Sequence, residues 1–207
     1  MLTSLRPSHN LKALKPIDFT VEGIVTEVTS FIRAKALPSI PDTMKLTPTL
    51  SVDGKRVQWV KQEVYTTLKF VVTIPDFELK TEKARECLPK EISHRDAVFN
   101  LSRAALFSAS LLTGKYENLR TAVNDKLHQP YRMELIPHGQ EVFDVAYSLG
   151  AYAAYLSGAG PSLMSIVDAD NEFFVGKLRF ALDRMGLEKW EVHELHIDNM
   201  GTRIVNE

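Results

Sequence analysis

The sequence of 207 residues has a single cysteine, Cys87, and no long apolar run. One cysteine cannot form an internal disulfide, and it excludes a cysteine-rich zinc site. A membrane-spanning helix needs about 18 or more apolar residues in succession, and no such run is present. The first seven residues also lack the apolar core of a secretory signal. These absences predict a cytoplasmic protein in a reducing compartment, with no membrane partner.

An excess of either charge is also missing: 25 Lys and Arg residues stand against 26 Asp and Glu, for a net charge of −1. Nucleic-acid-binding domains are usually basic, so a nucleic-acid partner is not expected. The histidines show no HxxxH or HExxH spacing, so no metal site is expected. The sequence has no GxSxG, no GxxxxGK[ST] and no GxGxxG motif. We therefore assign no catalytic residue from the sequence.

The most informative segment is Ser157-Gly158-Ala159-Gly160-Pro161-Ser162, which lies between two apolar runs. This pattern predicts a strand, a glycine turn and a second strand. Glycines permit positive φ and close backbone approach, and such a turn can direct several N–H groups at an anion. The alternative is a tight hairpin turn that binds nothing, which on spacing alone is the more common case.

Other segments have clear periodicities. Residues 46–52 and 55–60 alternate around Asp53-Gly54, which predicts a β-hairpin. Residues 68–74 are almost continuously apolar, which predicts a strand buried on both faces. Helices are predicted over 80–88, 93–112, 116–127, 140–149 and 171–185, and a final strand over 190–197.

The helix predicted over 93–112 has the strongest pattern. Ser93 and Asp96 resemble a capping box, and Gly114 is placed to end the helix. Pro130 is predicted to terminate the next helix, over 116–127. The inward stripe of the 93–112 helix is predicted to comprise Val98, Leu101, Ala105, Phe107, Leu111 and Leu112.

From residue 68 the order is strand, helices, strand, strand, helix, strand. This is the split β-α-β order of a ferredoxin-like α+β sandwich, with a helical cluster in place of the first helix. The hairpin that precedes it is expected to belong to a different sheet. Residues 1–45 are rich in proline and predict a loosely attached arm with one helix, over 21–36. The predicted segments are therefore 1–45, 46–67 and 68–207.

Two arginines are candidates for ligand binding. Arg103 lies within the longest predicted helix, three residues after Asn100, and its planar fork suits a carboxylate or a phosphate. Arg132 lies with His128 and Tyr131 in a segment interrupted by Pro130, where ligand contacts are common. The alternatives are an internal ion pair or surface position for Arg103, and a solvated helix end for Arg132.

Several of these segments together resemble the C-terminal part of the homoserine kinases, a family of GHMP small-molecule kinases. The resemblance extends from about residue 51 to the end, and residues 155–162 are similar to the third GHMP motif. The segments that carry it are 69–79, 81–85, 96–105, 127–132 and 155–162.

The resemblance implies a GHMP C-terminal domain, preceded by a hairpin remnant of the N-terminal domain. It implies ATP-dependent phosphorylation of L-homoserine to O-phospho-L-homoserine in threonine biosynthesis, with ATP and Mg²⁺ as cofactors. Arg103 and Arg132 would hold the carboxylate of the amino acid, with Asn100 beside them. A homodimer is a further expectation from the family. The glycine loop bordering the active site would comprise Ser157, Gly158, Ala159 and Gly160.

Three N-terminal segments of the family are absent: Asn-Leu-Gly-x-Gly-Phe-Asp, the phosphate loop Pro-x-x-x-Gly-Leu-Gly-Ser-Ser, and Glu-Gly-His-Pro-Asp-Asn. Glycine loops at helix N-termini are how such folds hold a triphosphate. We therefore expect a truncated or N-terminally rearranged homoserine kinase, with activity impaired or dependent on a missing half. The alternatives are a GHMP kinase for another small alcohol, such as mevalonate, and a non-catalytic module that binds an amino acid or dimerises through its sheet.

Overall fold

The computed structural model describes residues 67–195, together with the backbone of residues 196–197 and of three short strands before residue 67. These strands are β1 (Thr43–Met44), β2 (Thr49–Asp53) and β3 (Arg56–Val60). The helix predicted over 21–36 lies outside the described residues. The predicted division at residues 45 and 67 therefore stays a prediction.

The remaining elements follow the predicted order of strand, helices, strand, strand, helix and strand. They are β4 (Leu68–Ile74), α1 (Thr81–Glu86), α2 (His94–Thr113), a 3-10 turn (Tyr116–Asn118), α3 (Leu119–Ala122), α4 (Gln129–Met133), α5 (Gly139–Ser148), β5 (Ala153–Leu156), β6 (Leu163–Asp168), α6 (Phe174–Arg184) and β7 (Glu191–Ile197). None of the helices described between residues 67 and 197 has the length and apolarity needed to cross a bilayer.

One sheet of five strands has the order β1-β7-β4-β6-β5. Strands β7, β4, β6 and β5 pair antiparallel, and β1 pairs parallel with β7. The predicted α+β fold with its split β-α-β order is thereby confirmed. Strands β2 and β3 form a separate two-stranded sheet in which Asp53 pairs with Arg56, as the Asp-Gly pattern predicted.

Helices cover both faces of the large sheet, because alternate residues of β4 enter different cores. Phe70 and Val72 pack in one core with residues of α2 and α3. Val71 packs in the other core with residues of α5 and α6. The prediction that this strand is buried on both faces is confirmed, since Phe70, Val71 and Val72 are each 0% exposed.

Strand β5 lies at one end of the sheet order, and two side chains meet its outer edge. The hydroxyl of Tyr147 accepts a hydrogen bond from the N–H of Ala154 and donates one to its carbonyl oxygen. The side-chain oxygen of Gln129 accepts from the N–H of Leu156 at 2.8 Å. Side chains thus satisfy backbone groups that a further strand would otherwise bind.

Helix α2 has the predicted ends. The hydroxyl of Ser93 accepts from the N–H of Asp96 at 3.0 Å, and Gly114 caps the C-terminus with φ 71°. The predicted inward stripe is partly wrong, because Val98, Leu101 and Leu112 are at least half exposed. The helix is instead rotated so that Asn100 faces the protein interior, where its side chain donates a hydrogen bond to Asp125. The buried residues of α2 are Asn100, Phe107, Ser110 and Leu111.

The single helix predicted over 116–127 is wrong, since α3 ends at Ala122. Beyond it, the N–H groups of Leu127 and His128 donate to the carboxylate of Asp125 and not to a preceding helical carbonyl. Pro130 does not end a helix either. It occupies the first turn of α4, where a proline lacks only an N–H that would have no helical partner.

Candidate functional site

The glycine segment closes the β5–β6 hairpin. The N–H of Ser157 donates to the carbonyl of Ser162 at 2.8 Å, and that of Gly160 donates to the carbonyl of Ser157 at 3.0 Å. Gly158 and Gly160 have φ values of 57° and 83°, and the Gly160–Pro161 peptide is cis. The predicted strand, glycine turn and strand are present, and two of the turn's N–H groups serve its own closure.

Gly160 is also tightly enclosed. A Cβ atom at this position would lie 3.2 Å from the Cδ1 of Ile136 and 3.2 Å from the Cδ1 of Leu156. The position therefore favours glycine for two reasons, its left-handed backbone and its lack of space.

We predict that Gly160→Ala lowers the free energy of unfolding by more than Gly114→Ala does. Gly114 has a similar φ of 71° but nothing within 4 Å of an added Cβ, so its variant reports the backbone strain alone, about 1 to 2 kcal/mol. Urea denaturation of the two variants measures the difference. Equal losses would show that crowding by Ile136 and Leu156 has no cost.

Arg132 is buried beside this turn, being 8% exposed. Its Nε donates to the carbonyl of Ala84 at 2.9 Å, and its Nη1 donates to the carbonyl of Gly158 at 3.2 Å. The structure therefore brings together Arg132 and the glycine loop, which the sequence singled out separately. The alternative of a solvated arginine at a helix end is excluded.

Asn100 is connected to the same region by a hydrogen bond to Asp125. Its amide nitrogen donates to the carboxylate of Asp125, and its amide oxygen accepts from the N–H of Lys126 at 2.9 Å. This pair ties α2 to the segment that leads into α4. Asn100 thus has a clear structural function, and its contact with a substrate stays a prediction.

Arg103 lies one turn further along α2. Its guanidinium carbon is 4.5 Å from the ring centre of Phe99, and its Nε is buried without a hydrogen-bond partner. The ammonium of Lys126 lies 4.6 Å from the same ring and 3.3 Å from a carboxylate oxygen of Asp96. Two cations therefore flank Phe99. The joint action of Arg103 and Arg132 on one carboxylate stays a prediction.

Two ionisable groups in the segment before α4 have shifted pKa values. Burial alone would raise the pKa of Asp125, but the charge of His128 and hydrogen bonds from Gln129, Asn100 and His128 hold it below its ordinary value. Burial lowers the pKa of His128 below 6.5, and Arg132 adds to this effect while Asp125 opposes it. The fold thus favours a charged Asp125 and a neutral His128.

The shift at His128 predicts a pH dependence of stability. Because its folded pKa lies below the ordinary value of 6.5, protonation favours the unfolded chain. The contribution of His128 to the free energy of unfolding is therefore complete above pH 6.5 and is lost as the pH falls. We predict that His128→Gln reduces this fall between about pH 7.5 and pH 5.5, a range above the ordinary titration of carboxylates. Parallel urea titrations of both proteins measure the effect, and identical pH profiles would contradict it.

The described residues do not fit a triphosphate and its magnesium ion. The glycine turn joins two strands, whereas phosphate loops lead into a helix N-terminus. Among the side chains that the structure describes, those of residues 67–195, no three His, Cys, Asp or Glu residues form a cluster suited to a metal. No step of a reaction is therefore derived through ATP or Mg²⁺ in this region.

Asp125 and Gln129 are the two residues of this region that the sequence pattern did not single out. A local signal for both exists, because Asp is a strong acceptor for the N–H groups that follow it. Pro130 is typical of the first turn of a helix. Together these features could have indicated a helix that begins near Gln129.

Comparison with known proteins places the sequence beside one family of kinase domains and its curated members. Residues 107–183 match the family described as GHMP kinases C terminal. The chain is 48% identical over 153 residues to a homoserine kinase of Clostridium beijerinckii, covering 74% of this chain and 51% of that protein. It is 45% identical over 154 residues to a homoserine kinase of Caldicellulosiruptor bescii, covering 74% of this chain and 50% of that protein.

A solved structure agrees with the fold. The crystal structure of a homoserine kinase from Cytophaga hutchinsonii superposes with a TM-score of 0.64 at 24% identity, covering 72% of this chain and 48% of that one. This structure supports the fold, and the family match with the curated relatives confirms the resemblance drawn from the sequence segments. The chain spans about half the length of the curated relatives it matches.

Proposed function

We propose that this chain, which carries the C-terminal domain of the GHMP kinases, supplies the amino-acid-binding part of a homoserine kinase. The reaction is the ATP-dependent phosphorylation of L-homoserine to O-phospho-L-homoserine, in threonine biosynthesis. The observation that carries the proposal is Arg132, buried and held against Gly158. It lies in a region homologous to homoserine kinases.

The proposed role of Arg132 is to bind the substrate carboxylate. Its bonds to the carbonyls of Ala84 and Gly158 fix the guanidinium in place. A cation held in a set position attracts a carboxylate at little entropic cost. Arg103 and Asn100 join it in the proposal, and the glycine loop of residues 157–160 borders the bound amino acid.

Phosphoryl transfer depends mainly on positioning and on charge stabilisation. These residues therefore orient the amino acid and form no covalent intermediate. Because the described residues do not fit a triphosphate, we assign the binding of ATP and Mg²⁺ to residues outside 67–197.

Calorimetry on the 207-residue chain tests the carboxylate site. We expect L-homoserine to bind about tenfold or more tightly than its methyl ester, since a charge-assisted bond is worth roughly 1.5 to 3 kcal/mol. Arg132→Lys keeps the charge but loses the fork, and should weaken binding of the acid. Equal binding of acid and ester, or no binding of the acid, would overturn the proposal. Binding of mevalonate, which also has a carboxylate, is measured in the same way, because a kinase for another small alcohol is the alternative.

A second candidate is a non-catalytic amino-acid-binding module, favoured by the fact that the described residues do not fit a triphosphate. A coupled assay of ADP release with L-homoserine and ATP tests this second candidate. Turnover well above background would exclude the non-catalytic module. Binding without turnover agrees with the module and also with a kinase whose ATP-binding residues lie outside 67–197. The predicted homodimer is tested separately by sedimentation.

A further inference from the structure

The segment between α3 and α4 is organised around one buried carboxylate, that of Asp125. Its side chain is 5% exposed. Oδ1 accepts from the amide of Asn100 and from the N–H of Leu127, at 3.2 Å for the latter. Oδ2 accepts from the N–H groups of His128, at 2.7 Å, and of Gln129. Both oxygens are therefore fully engaged with donors.

This arrangement requires a carboxylate and not merely a polar side chain. Every partner is a donor, and a carboxylate is an acceptor on both oxygens. An asparagine of the same shape would place an NH₂ group against at least one N–H. The charge also strengthens each bond, since charge-assisted hydrogen bonds are about twice as strong as neutral ones.

The carboxylate acts on the candidate site through α4, which is five residues long. Asp125 binds the N–H of Gln129, the first residue of that helix. The side chain of Gln129 holds the end of β5 at Leu156, and Arg132 holds the glycine turn at Gly158. A helix this short has no interior to absorb a displacement, so a change at its start moves both contacts.

We propose that Asp125 is a positioning residue, which sets the start of α4 and thereby the place of Arg132 and of the Ser157–Ser162 turn. The geometric part of this inference stands on the hydrogen bonds alone. Its consequence for ligand affinity rests on the proposed function. A merely stabilising role would predict instead a uniform loss of stability without a directed effect on the turn.

Amide hydrogen exchange and ¹H–¹⁵N spectra of the full chain test the proposal with Asp125→Asn. We expect exchange about tenfold or more faster at residues 127–129 and at Leu156, as for the loss of one or more charged hydrogen bonds. The Gly158 and Gly160 resonances should shift, while Val71 and Ile166 in the core keep their rates. The matched control is Asp144→Asn, since Asp144 is exposed on α5 and accepts only from Gln140 among the described contacts.

Two results would overturn the positioning role: changes confined to residues 127–129, or an equal rise in exchange throughout the core. If Asp125→Asn does not fold, Gln129→Met decides, because it cuts the link from α4 to Leu156 and leaves the carboxylate intact. It should then disturb Leu156 but spare residues 127 and 128 and also Gly158, which Arg132 holds. An undisturbed Leu156 would contradict the proposal.

Measuring the affinity for L-homoserine distinguishes a failure of this inference from a failure of the proposed function. We expect Asp125→Asn to weaken L-homoserine binding about tenfold or more, and Asp144→Asn to leave it unchanged. If the wild-type chain does not bind L-homoserine but the exchange pattern is as expected, the proposed function fails and the positioning role stands. If Asp125→Asn binds as tightly as the wild type and the turn is undisturbed, the positioning role fails alone.

Discussion

Replacing Arg132 by methionine is expected to lower the free energy of unfolding by about 3 kcal/mol or more. The variant keeps a similar apolar stem but removes the donors to the carbonyl oxygens of Ala84 and Gly158. The first of these bonds is buried and the second is partly buried, so water does not fully replace the lost partner. Urea denaturation followed by circular dichroism measures the change.

Arg120→Met is the matched control. Arg120 is exposed and packs its guanidinium on the ring of Tyr147, 4.3 Å from the ring centre. Such an exposed cation–π contact is worth about 0.5 to 1 kcal/mol, so the control should lose no more than that. Similar losses in the two variants would mean that the bonds of Arg132 do not hold α1, α4 and the glycine turn together.

Phe70→Ala is expected to cost about 3 to 5 kcal/mol, the range for removing a buried phenylalanine. Phe70 is 0% exposed in the middle of β4, where it pairs with Ile166 of β6 on one side and Leu195 of β7 on the other. Its removal leaves a cavity between the sheet and the α2–α3 layer. Thermal and urea denaturation of the variant give the loss.

Phe180→Ala provides the comparison, because Phe180 is 63% exposed on α6. Surface substitutions of this kind usually change stability by no more than about 0.5 kcal/mol. A loss at Phe180 as large as that at Phe70 would contradict the assignment of the core to the two faces of the sheet.

The sheet and the ends of α2 were predictable because their signals are local. The apolar run of β4 indicates burial on both faces, and Ser93 with Asp96 and Gly114 marks where α2 begins and ends. These features depend on residues within a few positions of each other. The sequence therefore contains what is needed to recognise them.

The rotation of α2 and the start of α4 were not predictable in this way. Asn100 faces inward because Asp125, 25 residues later, accepts its hydrogen bond. Apolar periodicity carries no information about such a partner, so the pattern placed Val98 and Leu101 on the wrong side. The N–H of Lys126 donates to Asn100, and those of Leu127 and His128 donate to Asp125, so none of the three is available to continue α3 beyond Ala122.

The candidate site was predictable as a set of residues but not as an arrangement. Arg132 and the glycine turn were singled out by their residue types, yet their contact depends on a carbonyl 26 residues further along the chain. The contact with Ala84 spans 48 residues in the other direction. The geometry of a buried arginine is set by such distant acceptors, and only the folded structure supplies them.

The edge of the sheet at β5 has a consequence for how the protein behaves at high concentration. Tyr147 and Gln129 occupy the outward backbone groups of Ala154 and Leu156, so a strand from another molecule would have to displace both side chains. Exposed strand edges are the usual templates for aggregation, and side chains that cover them suppress it. Gln129 therefore shields this edge against strand addition while also anchoring α4. A single substitution at Gln129 would expose part of the β5 edge to unwanted self-association.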